Sequence, residues 1–186
     1  MELTEAIFER RSVRRFTDHV VTNEEIKEIL EAARFAPSWA NTQCWEFIVV
    51  RDKELIEKVT DTYSETNPAR KCSAASSAII VGCAHTTLAG YKQGDQRSKF
   101  PDWFMYDLAS AVQNLCLRAH ELGLGSVIVG SLDHDACNSL LKVPEGYEAV
   151  VAIPLGKPEG EPKKAPRRKE LGEFVYDNYF GEKISL

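Results

Sequence analysis

The sequence predicts an α+β fold in one domain, and three observations carry that prediction. Helical and strand-like segments do not alternate strictly: they run helix, helix, strand, helix, strand, long helix, strand, helix, strand, then a C-terminal extension. The run Ala78 to Gly82 is continuously apolar, the pattern of a strand covered on both faces. From Trp103 to Leu122, the residues Phe104, Leu108, Ala111, Val112, Leu115, Ala119 and Leu122 recur at helical spacing. At 186 residues the chain fits a single domain, 1–186, with 156–186 read as an extended arm.

Each element has a local reason. Leu3, Ile7 and Phe8 mark a short amphipathic helix ending in a run of arginines. Thr22 with Glu25 forms a capping box, Ile26, Ile29, Leu30 and Ala33 give the buried stripe, and Pro37 stops the helix. Phe47 to Val50 reads as a strand, and Asp52 caps a helix running through Tyr63. Thr86 to Lys99 is polar and too long for a simple turn, so it reads as a loop or lid loosened by Gly90 and Gly94. Gly123 suits the left-handed cap of the long helix. Val127 to Val129 is expected to be a strand, Asp133 to cap a helix to Leu141, and Glu148 to Leu155 to form the last strand. Pro158 to Pro166 is rich in Pro and Lys, as an extended linker would be.

Composition narrows the function. Hydrophobic residues make up 44% and charged residues 27%, ordinary for a soluble protein. A net charge of −5 and a pI near 5.5 argue against broad nucleic-acid binding. The first residues lack a signal-peptide pattern, and the most apolar run, Ala149 to Leu155, is too short to span a bilayer. Cys44, Cys72, Cys83, Cys116 and Cys137 are scattered and odd in number, reading as reduced core thiols in a cytoplasmic protein. His19, His85, His120 and His134 form no zinc pattern, and no P-loop, dinucleotide fingerprint or Gly-x-Ser-x-Gly motif occurs.

Two basic clusters stand out in this acidic chain: Arg10-Arg11-Ser12-Val13-Arg14 and Arg167-Arg168-Lys169. Guanidinium forks and a serine hydroxyl match phosphate oxygens, so a dianionic phosphate is one explanation. The plainer one is a solvated helix end, where cations favour the carbonyl terminus. Aromatic residues in the arm, Phe174, Tyr176, Tyr179 and Phe180, need a cover, and a second copy of the chain is the economical one.

Four features in order resemble the FMN-dependent nitroreductase family: Arg10 to Phe16 after an N-terminal helix, Ala36 to Trp45, Glu121 to Gly130, and Gly156-Lys157-Pro158 followed by Pro166 to Lys169. The resemblance implies a central, mostly antiparallel sheet of four to five strands flanked by helices, with the C-terminal arm exchanged across a homodimer. It implies FMN as cofactor, NAD(P)H as hydride donor to flavin N5, and a nitroaromatic, quinone or other electron-poor acceptor in ping-pong turnover. No protein side chain is then a catalytic acid or base, because the flavin carries the chemistry.

By the same resemblance, Arg10, Arg11 and Ser12 match the residues holding the flavin phosphate and ribityl chain, and Arg14 a basic residue near the ring system. Pro37, Ser38, Trp39 and Asn41 match a turn that reaches the flavin of the other subunit. Val129 and Gly130 match the strand end facing the isoalloxazine, Lys71 a lysine at its pyrimidine edge. Arg167 and Lys169 match the C-terminal phosphate clamp, with Arg168 as the alternative register. Two departures stand out. Cys44 replaces the usual Pro, with no catalytic role expected of it. Trp39 replaces a smaller residue, and either narrows the pocket or packs at a dimer seam. Two other functions stay open: a flavoenzyme with a different reaction (reductive dehalogenation or a flavin-consuming synthesis), and a non-catalytic nucleotide-binding protein.

Overall fold

The computed structural model describes residues 1–160 and 165–185. Its helices are α1 (Leu3–Glu9), α2 (Asn23–Arg34), α3 (Lys53–Asp61), α4 (Arg70–Ala74), α5 (Trp103–Glu121) and α6 (His134–Leu141). Its strands are β1 (Trp45–Val50), β2 (Ala78–His85), β3 (Tyr91–Lys92), β4 (Asp95–Gln96), β5 (Gly125–Ser126) and β6 (Tyr147–Gly156).

The caps expected from sequence are formed. Thr22 accepts from Glu25 N while Glu25 accepts from Thr22 N, and Asp52 and Asp133 accept from Leu55 N and Ala136 N. Gly123 follows α5 at φ 75°, where any side chain would be strained.

β1, β2, β6 and β5 lie side by side in that order, each neighbouring pair antiparallel. Alternate residues of β2 feed two separate cores. Ile80 joins Ile26, Ile29, Leu108 and Leu115 beneath α2 and α5. Ile79 and Val81 join Ile56, Val59, Cys72 and Cys137 beneath α3, α4 and α6. The unbroken apolar run of β2 is thus explained by helices on both faces, the α+β layering the sequence predicts. All five cysteines are free and buried.

The structure corrects two expectations. The strand expected at Val127 to Val129 lies at Gly125–Ser126, and Val129 keeps only a single bridge to Ala152. Ile128 is nearly half exposed, so the apolar triplet does not form a buried strand. The polar segment 86–99 contains a tight hairpin, β3–β4, turned at Gln93-Gly94 with both residues at positive φ. Helix α4 had no forecast. Of the arm, Glu161 to Lys164 lie outside the described residues. Beyond them a 3-10 turn at Leu171–Glu173 precedes a bend closed by the bridge Tyr176–Lys183. No helix among the described residues is long and apolar enough to cross a membrane.

Candidate functional site

The first basic cluster is extended chain laid along the free edge of β5. Ser12 bridges Ser126, and Val13 N donates to Ser126 O at 2.9 Å. Further on, Thr17 N donates to Lys157 O and Glu159 N to Arg15 O, so the segment also grips the chain leaving β6. Two glycines permit this approach. A Cβ on Gly125 would lie 2.7 Å from Val13 Cβ, and one on Gly156 would lie 2.7 Å from the Phe16 ring.

Between this segment and the end of α5 opens a cavity of about 640 Å³. Arg10, Arg11, Ser12, Arg14, His120 and Ser126 line it, and its far wall runs from Pro158 to Gly160 and includes Ala165. The volume suits a nucleotide-sized ligand. Five cationic or hydroxylic residues of one short segment, Arg10, Arg11, Ser12, Arg14 and Arg15, line it, a donor set suited to a phosphate monoester. Arg11 currently does what the plainer reading expects: its guanidinium caps α1 by donating to the carbonyls of Phe8 and Arg10. Arg14 also lies within electrostatic range of α4. Its charge opposes the upward pressure that burial exerts on the Cys72 thiol of α4, the helix that also carries exposed Lys71.

The turn Pro37 to Gln43 is strained and tightly held. Ala40, Asn41 and Gln43 all have positive φ, costing about 1–3 kcal/mol each. Ser38 Oγ accepts from Gln43 N at 3.0 Å, and Trp39 N donates to Asp107 Oδ2 at 2.9 Å. Asp107 is 1% exposed on α5, and Cys44 Sγ also faces it at 3.9 Å. Burial raises the Asp107 carboxyl above its usual range. Burial first, and then the Asp107 charge, push the Cys44 thiol up to about 11, so it is no thiolate nucleophile at neutral pH. The half-buried Trp39 ring packs edge-on against Trp103 at 5.3 Å, which in turn lies beside exposed Tyr106.

Val129 is buried in the sheet core, held by paired hydrogen bonds with Ala152, whereas Gly130 is exposed and a Cβ there would meet nothing within 4 Å. At the other end, the second basic cluster does not line the described cavity. Arg167 is exposed and pairs with Glu173 at 3.6 Å, Arg168 donates to Pro166 O, and Lys169 is exposed. The cavity wall stops at Ala165, two residues short of Arg167.

Sequence reasoning missed three residues here. Ser126 belongs to a two-residue strand too short to read. Asp107 is a charge inside the apolar stripe of α5, a legible signal. His120 lines the cavity, and its Nε2 is buried without a hydrogen-bond partner. The other such atom among the described residues is Thr42 Oγ1, in the strained turn.

Comparison with known proteins agrees with this geometry. The family model described as the nitroreductase family matches residues 7–157. An Archaeoglobus fulgidus protein named an NADH dehydrogenase/NAD(P)H nitroreductase is 36% identical, the match covering 86% of this chain and 87% of that one. An FMN reductase (NADPH) of Bacillus subtilis is 28% identical over 94% of this chain and 73% of its own length. Among solved structures, an FMN-dependent nitroreductase from Clostridium difficile R20291 superposes with a TM-score of 0.80 at 28% identity, covering 96% of this chain and all of that one.

Proposed function

This chain belongs to the nitroreductase family, and from that premise we propose that it is an NAD(P)H-dependent oxidoreductase whose cofactor is FMN. The observation that carries the reading is the cavity framed by Arg10, Arg11, Ser12, Arg14 and Ser126. Its donors fit the phosphate of FMN in number and charge, and the glycine-permitted edge of β5 keeps them in place. When bound, FMN would supply two-electron chemistry between NAD(P)H and an electron-poor acceptor, in ping-pong order.

The protein's task is to bind, orient and shield. Arg10 and Ser12 hold the phosphate end, and Arg14 and Lys71 set positive charge toward the ring. The open side of Gly130 leaves backbone room for the isoalloxazine. The turn at Ser38, Trp39 and Asn41 covers the flavin of a partner subunit, and Arg167, Arg168 and Lys169 complete the phosphate clamp from the exchanged arm. Support for a homodimer comes from the apolar surface left bare: Phe8 is 70% exposed, Phe35 76% and Phe180 92%. Acceptors of the nitroaromatic or quinone class suit the aromatic run of half-buried Trp39 and Trp103 and exposed Tyr106.

The test is direct. Purified protein is expected to be yellow, to bleach under anaerobic titration with NADH or NADPH, and to regain colour with a quinone. A colourless protein that takes up no added FMN overturns the reading.

A further inference from the structure

We propose that His120 is a further phosphate-contact residue of this cavity, donating from Nε2 to the phosphate of the bound nucleotide and setting the preference for FMN over riboflavin. This rests on the reading of the cavity as the flavin phosphate site. His120 stands in the last turn of α5, facing the segment that carries Arg10 and Arg11. Its Nε2 is buried and unpartnered, a state that costs free energy until an acceptor arrives. No acceptor among the described residues supplies that bond, while the cavity beside it is lined by anion donors. A phosphate held by Arg10 and Ser12 brings oxygen acceptors to the wall that His120 forms. Arg11 is free to join, since its present bonds to helix-end carbonyls are ones water can replace.

Burial lowers the His120 pKa below its ordinary 6.5, which favours the neutral ring. Glu5 and Glu9 of α1 draw a proton toward it, Arg10 and Arg11 oppose this, and Cys116 lies one turn earlier on α5. Arg14, Arg15 and Glu159 line the same cavity, and Glu121, the next residue, is engaged by Arg118 and the amino terminus. A phosphate dianion adds to the pull of the two carboxylates and opposes Arg10 and Arg11, so its binding draws a proton onto the imidazole. Affinity for FMN therefore rises as pH falls from about 8 toward 6, where the phosphate's own second ionisation ends the trend.

Equilibrium dialysis of the full-length protein against FMN and against riboflavin tests this. His120→Ala is expected to weaken FMN binding about ten- to hundredfold while leaving riboflavin affinity unchanged. His120→Gln keeps a neutral donor, so it should retain most of the FMN preference but lose the pH trend beyond that of the phosphate itself. Equal weakening of both ligands by His120→Ala, or no change in either, overturns the proposal alone. A wild-type protein that binds no FMN overturns the cavity reading as well.

Discussion

The two basic clusters have nearly the same composition and opposite circumstances. Arg10 to Arg15 are stitched by backbone hydrogen bonds to β5 and to the chain leaving β6, so their cations are pre-positioned around a cavity. Arg167 to Lys169 lie on an arm, 81% exposed at the Arg167 side chain, with one ion pair to Glu173. An exposed pair of that kind contributes little by itself. Charge held at a sheet edge lines a cavity within one chain, whereas charge on the arm is held by a single exposed ion pair.

That contrast can be broken or sharpened by four experiments, in falling order of effect. Arg10→Ala with Ser12→Ala removes two charge-assisted contacts. FMN retention should fall by roughly 10²-fold or more, leaving colourless protein. A yellow, fully active double mutant would refute the phosphate role of the stitched segment. Gly125→Val forces a side chain into Val13 and should cost about 1–3 kcal/mol in chemical denaturation, with loss of bound flavin. Unchanged stability would show that the stitch is dispensable.

Asp107→Ala leaves Trp39 N–H without its acceptor and should cost about 1–3 kcal/mol. Asp107→Asn keeps an acceptor and loses the charge. Burial raises the carboxyl in the folded protein, so its contribution to stability is complete below the unfolded value near 3.8 and is lost as pH rises through the folded value. Denaturation measured from pH 4 to 8 should show Asp107→Asn gaining on the wild type as pH increases; parallel curves would contradict this. The smallest effect belongs to the arm. Arg167→Ala with Lys169→Ala should reduce FMN affinity about tenfold, and only at concentrations where gel filtration shows a dimer. An equal loss in monomer would mean that the arm folds back on its own cavity.

The helices were legible because their signals are local. Thr22 with Glu25, Asp52, Asp133 and Gly123 each fix an end through atoms a few residues away. The two-faced burial of β2 was equally plain, since helices on both sides demand an unbroken apolar run. What escaped depends on distant partners. Gly125–Ser126 pairs with β6 by register, and the more apolar Val127 to Val129 drew attention from it because apolarity alone does not specify pairing. The arginines at 10 and 11 were visible as charge, but their meeting with His120 requires the end of α5 to pack across them. The turn from Pro37 to Asn41 was legible as a turn, but the positive φ of Ala40 was not, because alanine does not favour it; the hydrogen bond from Trp39 to Asp107 spans 68 positions.

The attachment of residues 12–17 to Ser126 and Lys157 also orders events during synthesis. Residues 12–17 are made well before β5 and β6, so the edge that receives them exists only once those later strands have followed and paired. Until then nothing holds those arginines in place, and the cavity they line is closed only by strands made much later in the chain.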